Sequence, residues 1–353
     1  MRPFLPSQGP AVSVLMSCYN AERWLRESVD SVLSQTFRNL ELILVDDGST
    51  DDTRAIIQSY CERDSRIVPL FKSNSGLADS LNAGIAIARG AWIARLDADD
   101  LCEPERLYAQ VNFIQKNGDV VLLGTGYVEV DEFGRKLLDH RFPSSHRILV
   151  RHLERMQCFF PHSSALIRVD TLRAVGGYST LMRKAQDWHL WLKLSRSGRV
   201  SCLPVSLVKF RKHAQQVSKE NSGRSQLCYG LAATVCHFLA MRGVTDPSIS
   251  SVGLSWHEFF SWVEQRMLDD GLHGRLKSWV DARAESLLAE QKLLGALRFG
   301  VRILRARDAR LLVWEKVFGT SLPKRLARQW IRRSFAAGPE KHLYPGCQER
   351  AQE

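Results

Sequence analysis

Four short apolar runs alternate with helical patterns across residues 12–96, and that alternation restricts the chain to one kind of sheet. The runs are Val12 to Met16, Leu40 to Val45, Ile67 to Phe71 and Trp92 to Leu96. Between the first two, Trp24, Leu25, Val29, Val32 and Leu33 recur at helical spacing. Leu77 to Ala88 repeats that pattern after the turn Asn74-Ser75-Gly76. Strands alternating with helices in this way predict a mostly parallel, twisted sheet covered on both faces. Such a sheet brings the carboxyl ends of its strands to one edge, where ligands bind.

Two of the runs end in carboxylates. Leu40 to Val45 leads into Asp46-Asp47-Gly48-Ser49-Thr50-Asp51-Asp52, where Ser49 or Thr50 can cap the next helix. Trp92 to Leu96 leads into Asp97-Ala98-Asp99-Asp100. Carboxylates this close repel one another unless a positive group lies between them. A divalent cation that also holds a diphosphate meets that need, because Mg²⁺ or Mn²⁺ takes one or two protein carboxylates plus phosphate oxygens. The plainer use is a solvated acidic turn ahead of the helix that starts near Pro104. The second acidic cluster at the same edge favours the cation. Asp47 exceeds what one ion takes, and suits a hydrogen bond from a base or ribose.

Composition narrows the class. Eight cysteines are scattered without a Cys-x-x-Cys pair, so neither zinc nor a thioredoxin-like site is indicated. Reduced thiols in a cytoplasmic chain are expected. Met1 to Pro10 lacks the apolar core of a signal peptide. Leu227 to Met241 is interrupted by His237 and is short for a membrane span.

Four motifs now stand in register: Val12 to Asn20, Ser34-Gln35-Thr36-Phe37, Asp46 to Asp51, and Asp97 to Asp100. Their order and spacing resemble family 2 glycosyltransferases over residues 11–218. The resemblance implies an α/β chain of GT-A fold, with a Rossmann-like, mostly parallel central sheet and helices on both faces. It implies a nucleotide-diphosphate-sugar donor, a divalent metal (Mn²⁺ or Mg²⁺) and inversion at the anomeric carbon. It places Asp47 on the nucleobase with Tyr19 beside it, and Ser17 and Asn20 in the same nucleotide-sugar site. Asp97 and Asp99 form its Asp-x-Asp pair, with Asp99 the direct metal ligand. Asn74, Gly76, Asn82 and Gly84 resemble an Asn-x-Gly…Asn-x-Gly loop beside the nucleotide. The glycines serve equally well as turn and cap residues.

Further along, Pro104 to Gln115 predicts a helix with proline in its first turn. Val120 to Thr125 predicts a strand, and Glu129 to Asp139 a hairpin around Gly134. His162 to Ile167 predicts a strand entering the site, and Asp170 can cap a short helix that ends at Gly176-Gly177. Lys184 to Leu194 predicts a helix with Trp188, Trp191, Leu192 and Leu194 on its core face. Asp187 lies in its first turn, where a carboxylate is ordinarily a helix-end acid. The segment resembles the family's Glu-Asp-x-x-Leu-Trp pattern, whose Asp is the catalytic base. Gln186 stands where Glu is usual and carries no charge. Leu207 to His213, followed by Ser218, resembles an Arg-x-His…Ser segment that closes over the diphosphate. On that basis Arg211 or Lys212 offsets phosphate charge and His213 joins the metal, although a lone histidine is more often structural. Arg95 is expected to face the donor, and Lys72 to lie on a solvated surface.

After Asn221 the alternation stops. Leu227 to Met241, Trp256 to Met267 and Leu276 to Leu304 predict helices, and Arg298, Arg302 and Arg305 form a stripe on the last. With Lys324 to Arg333 they concentrate part of the net charge of +11. Basic amphipathic helices suit an anionic membrane surface, or equally a helical subdomain with a solvated face. The expected organisation is a flexible stretch 1–10, a catalytic domain 11–221, a basic helical region 222–338 and a disordered tail 339–353. The expected activity is sugar transfer, by default from a UDP-sugar, to a carbohydrate or lipid-linked acceptor. Its destination is bacterial surface polysaccharide, lipopolysaccharide or glycolipid, with peripheral attachment at the cytoplasmic face of the inner membrane. No nucleic-acid partner is expected, since no recognised motif accompanies the charge. A sugar nucleotidyltransferase calls for a Gly-rich basic loop where Ser17-Cys18-Tyr19-Asn20 stands. An inactive binding module is opposed by the retained Asp47, Asp97, Asp99 and Asp187. A processive synthase is opposed by the lack of its Gln-x-x-Arg-Trp motif, which Gln329-Trp330 does not fit.

Overall fold

The computed structural model describes residues 9–157, 159–213, 224–241, 246, 248 and 256–269. Expectations for residues 1–8, for Ser218 and for everything after Asp269, the basic stretches included, lie outside the described residues. The chain divides into two compact units, Met1–Leu153 with Cys158–Glu220, and Glu154–Gln157 with Asn221–Glu353.

The first unit opens with the expected alternation: β1 (Val12–Cys18), α1 (Leu25–Leu33), β2 (Leu40–Asp47), α2 (Thr53–Cys61), β3 (Ile67–Lys72), α3 (Leu77–Ile87) and β4 (Trp92–Arg95). It continues with β5 (Leu101–Cys102), α4 (Arg106–Lys116), β6 (Val120–Val130), β7 (Lys136–His140) and α5 (His146–Glu154). A 3₁₀ turn (His162–Ser164) leads into β8 (Leu166–Arg168), then α6 (Val169–Ala174), α7 (Gln186–Leu194) and β9 (Arg199–Arg211).

The strands form a nine-stranded sheet in the order β3-β2-β1-β4-β8-β6-β9-β5, with β7 on β6. The first four strands are parallel, as helical crossovers require. The expected parallel core is present, and the rest of the sheet is mixed. β8 runs antiparallel to β4 and β6, β5 to β9, and β7 to β6, while β6 and β9 are parallel.

Alternation along the strands separates two apolar faces. Val12, Val14 and Met16 of β1, with Leu40, Leu42 and Leu44 of β2, share a buried cluster with α1, α2 and α4. Leu15 points the other way, where α3 packs so closely that a Cβ on Gly84 would lie 2.3 Å from Leu15 Cδ1. Helices therefore cover both faces. At the opposite edge from the strand carboxyl ends, Ser13 Oγ donates to the buried Glu41 at 2.6 Å and accepts from the Gly90 amide at 2.9 Å. A Cβ on Gly90 would sit 2.5 Å from the Ser13 nitrogen and 2.8 Å from the Val12 carbonyl carbon. That backbone is paired on both sides and cannot retreat. Gly90→Ala is expected to destabilise the unit by about 1–3 kcal/mol, the usual scale of overpacking, measured by denaturant unfolding.

Local differences from expectation have local causes. α2 starts at Thr53, whose amide is capped by Asp51 Oδ1 at 3.0 Å, so neither Ser49 nor Thr50 is its cap. The expected strand at His162 begins only at Leu166. α5 gave no periodic signal, since only Leu149 and Leu153 are buried among its basic residues. β9 begins well before Leu207, where Ser201, Pro204 and Ser206 interrupt the apolar pattern. Trp188 is half-buried, while His189 and Lys193 join the buried side of α7.

In the second unit, α8 (Arg224–Ala240) and α9 (Trp256–Asp269) pack through Tyr229 and Phe260, ring centroids 4.5 Å apart. Among the described residues, no helix is long and apolar enough to cross a membrane.

Candidate active site

β1 lies between β2 and β4, so the loops after all three strands meet at one edge of the sheet. That brings Ser17 to Asn20, Asp46 to Asp52 and Asp97 to Asp100 together. Asn20 adopts a left-handed backbone, φ 48°, which asparagine tolerates better than most residues. Its amide N–H donates to Ser49 Oγ at 3.0 Å and its Oδ1 accepts from the Thr50 amide at 2.9 Å. Asn20 is therefore a brace between two loops. Ser17 is half-buried at the end of β1, and Tyr19 is 54% exposed.

Asp47 is buried at the end of β2. Its Oδ1 accepts from Lys72 Nζ at 2.7 Å and the Ser75 amide at 2.9 Å; its Oδ2 accepts from the Gly76 amide at 2.9 Å. Burial opposes its charge, but Lys72, the two amides and Ser80 outweigh it and hold the carboxyl below its ordinary 3.8. Lys72 is thus no solvated surface residue, a correction: it ends β3 beside a carboxylate that needs a countercharge. Asn74 is exposed next to this network, and its backbone nitrogen would be 2.7 Å from a Cβ on Gly48, whose φ is +73°. Asn82 is placed elsewhere: its side chain pairs with the backbone of Tyr178 at 2.8 and 2.9 Å.

The second acidic loop has a cationic floor. Arg95 is fully buried under β4 and pairs with Asp97, so it faces the loop from beneath. Ser163 Oγ donates to Asp97 Oδ2 at 2.8 Å and also contacts Asp100. Burial works against the charge of Asp97, yet Arg95, His162 and Ser163 keep its carboxyl below 3.8. Asp100 is the reverse: burial, Asp99 and Asp97 raise it well above that value. His213 Nε2 lies 2.8 Å from Asp99 Oδ2, while its Nδ1 is buried without a hydrogen-bond partner. Trp24 packs on the His213 ring, centroids 4.2 Å apart.

Arg211 was expected at the diphosphate and is placed otherwise. It is 2% exposed, with its guanidinium on the Asp99 carbonyl at 3.0 Å, the Glu132 carbonyl at 3.1 Å and Glu27 at 2.7 Å. Its amide donates to Asp100 at 2.9 Å. Arg211 ties β9 to the acidic loop; its neighbour Lys212 pairs with Glu129 at 3.1 Å.

Asp187 lies in the first turn of α7, which follows Ala185, itself left-handed at φ 54°. Burial raises its carboxyl, the Trp188 amide opposes this, and the field of Asp97 raises it further. Asp187 and Asp97 therefore share one electrostatic neighbourhood. His162 Nε2 meets Tyr178 Oη at 2.6 Å, and burial with Arg95 lowers the imidazole to about 3, leaving it neutral. Gln186 donates to the Arg183 carbonyl at 2.9 Å, a helix-entry contact that needs no charge.

Sequence reasoning missed Ser163, Tyr178, Trp24 and the Lys72 contact. A serine that ties two aspartates from 63 and 66 positions away leaves no local pattern. Among the described residues, no three His, Cys, Asp or Glu side chains converge as a metal cluster. Asp97 turns to Arg95 and Ser163, leaving Asp99 and His213 as the adjacent pair.

The chain matches Glycosyl transferase family 2 over residues 13–184. It is 37% identical over 224 residues to the putative glycosyltransferase EpsE of Bacillus subtilis, covering 61% of this chain and 78% of that protein. It is 32% identical over 214 residues to the amylovoran biosynthesis glycosyltransferase AmsE of Erwinia amylovora, covering 59% and 78%. Some relatives are much longer: the chain spans 33% of an uncharacterized glycosyltransferase of Rickettsia bellii. Among solved structures, S. aureus TarS 1-349 in complex with UDP-GlcNAc matches with a TM-score of 0.56 at 18% identity, covering 87% of this chain and 90% of TarS 1-349. This chain belongs to the family 2 glycosyltransferases and is a glycosyltransferase of GT-A fold.

Proposed function

We propose that this protein moves a sugar from a nucleotide-diphosphate-sugar to an acceptor hydroxyl with inversion at the anomeric carbon. The observation that carries this reading is the pairing of two unlike carboxylates at one edge. Asp97 is held charged over Arg95, while burial raises Asp187. A carboxylate kept anionic beside one of raised basicity is how donor binding and proton removal are divided between two acids.

Asp99 and His213 fit a divalent cation: both present donor atoms at the strand edge, 2.8 Å apart. A carboxylate suits Mn²⁺ or Mg²⁺, and diphosphate oxygens complete the set. When bound, the cation supplies Lewis-acid stabilisation of the leaving nucleoside diphosphate. Asp187 removes the proton of the acceptor hydroxyl. The acceptor oxygen then bonds to the anomeric carbon while the carbon–phosphate oxygen bond breaks, and the nucleoside diphosphate leaves with the electron pair. One displacement without a covalent intermediate inverts the centre. His162 is neutral and hydrogen-bonded to Tyr178. Arg211 and Trp24 fix Asp99 and His213 in place.

TarS binding UDP-GlcNAc supports a nucleotide-sugar donor, and the amylovoran name of one relative supports a polysaccharide or lipid-linked acceptor. The test is release of nucleoside diphosphate from a panel of nucleotide sugars, with and without Mn²⁺. A protein that neither binds nor turns over any of them sinks the reading.

The base must be ionised to act, so activity falls as pH drops through the Asp187 pKa. Since that value is raised above 3.8, the acid limb of the kcat profile is expected above the ordinary carboxylate range. An acid limb at or below about pH 4, the range of an unperturbed carboxylate, excludes Asp187 as the group seen.

A further inference from the structure

Six consecutive residues of the β6–β7 hairpin, Phe133 to Leu138, are exposed, and none of them is acidic. Phe133 is 72% exposed, Leu137 56% and Leu138 54%. Arg135 and Lys136 stand between them, the Arg135 guanidinium 5.3 Å from the centre of the Phe133 ring. The acids of the hairpin turn inward and shape it. Asp131 Oδ1 accepts from the Phe133 amide at 3.0 Å and the Arg135 amide at 2.9 Å, and its Oδ2 accepts from Arg135 Nε at 2.6 Å. Asp139 leans back to accept from Ser206 of β9 at 2.5 Å, and Glu132 pairs with Arg23 at 2.6 Å. What the turn shows to its surroundings is therefore apolar and cationic.

Folding buries none of these three apolar side chains, and apolar surface gathered in one exposed place marks an interaction site. The register of β7 on β6 shifts between Glu129, opposite Leu138, and Val130, opposite Lys136, so Leu137 is the extra residue of a bulge. A bulge on an edge strand opposes the addition of another strand, which disfavours pairing with a second copy along β7. An aromatic ring, two leucines and two cations together suit the interface of an anionic bilayer, where apolar groups enter the acyl boundary and cations meet the headgroups. The hairpin is also tied to the catalytic edge: the Arg211 guanidinium donates to the Glu132 carbonyl at 3.1 Å and to the Asp99 carbonyl at 3.0 Å. We propose that the Phe133–Leu138 turn docks on an anionic lipid bilayer and sets the acidic loop beside that surface. Docking of this kind does not depend on the transfer chemistry proposed above.

The test is sedimentation of the full chain with vesicles of phosphatidylcholine alone and of phosphatidylcholine mixed equally with phosphatidylglycerol. Hydrogen exchange of residues 131–140 is followed in the same samples. Binding to the mixed vesicles is expected, with exchange in that hairpin slowed. Phe133→Ser, Leu137→Ser and Leu138→Ser combined are expected to weaken binding by about tenfold or more, since each removes an apolar side chain from the contact. The thermal midpoint of that variant should match the parent, because all three side chains are exposed. Arg135→Gln with Lys136→Gln is expected to cost about tenfold on the mixed vesicles, the scale of two cations at an anionic surface. Three results overturn the docking assignment: no binding to mixed vesicles, binding that leaves hairpin exchange unchanged, or equal binding by the triple variant. Slow exchange before vesicles are added assigns the turn to a contact within the chain. Slowing that follows protein concentration assigns it to a second copy, and either outcome also overturns it.

Discussion

Asp187→Asn is expected to cut turnover by about 10²–10⁴-fold, the usual contribution of a positioned general base, with little change in nucleotide affinity. The substitution preserves shape, and the contact that Asp187 Oδ1 makes with the Trp188 amide survives as an amide oxygen. What is lost is the ability to take a proton. The raised carboxyl pKa matters here, because a base is more useful as its pKa approaches the working pH. The nearby charge of Asp97 contributes to that rise. Hydrolysis of the donor with water as acceptor, measured beside nucleotide titration, separates the roles. A variant that loses turnover and nucleotide affinity in equal measure assigns Asp187 to donor binding instead.

The strand–helix alternation through Trp92 was legible because each element there repeats a local rule. β1 to β4 are apolar runs, and their crossovers are amphipathic helices. Parallel pairing then forces the carboxyl ends together, so Asp47, Asp97 and Asp99 could be grouped from order alone. Past β4 the chain relies on pairings between distant segments. β8 is three residues long, and β9 runs from Arg199 with a proline inside it. Neither carries a periodic signature strong enough to set its direction. The site divides in the same way. Carboxylates at strand ends are visible as clusters, but the groups that tune them are not. Lys72 reaches Asp47 across 25 positions, and Arg211 reaches Glu27 across 184. Arg95 was visible as a charge next to the motif; only burial shows that it lies beneath Asp97. Asn20 and Asn82 resemble ligand-binding residues by position, yet their amides hold loops together.

Asp99→Ala is expected to abolish the metal dependence of nucleotide binding. In the parent, chelation with EDTA is expected to weaken diphosphate binding by about tenfold or more, since even changes behind a metal ligand cost 10–100-fold. In the variant, Mn²⁺ and EDTA should give the same, weak affinity. The three aspartates of this loop are held differently. Asp97 is neutralised by Arg95 and Ser163, and Asp100 is buried with a raised pKa against the Arg211 amide. Asp99 alone of the three faces an imidazole whose position is set by Trp24. A diphosphate approaching this edge meets net negative charge, because Arg95 balances only one of the carboxylates. A cation held by Asp99 reverses that sign where the phosphates arrive. His213→Ala should therefore weaken the Mn²⁺ response less than Asp99→Ala, since it leaves the Asp99 carboxylate in place. If Asp99→Ala still binds nucleotide tightly only with Mn²⁺, the cation sits on Asp97, and the roles of the two acids are exchanged.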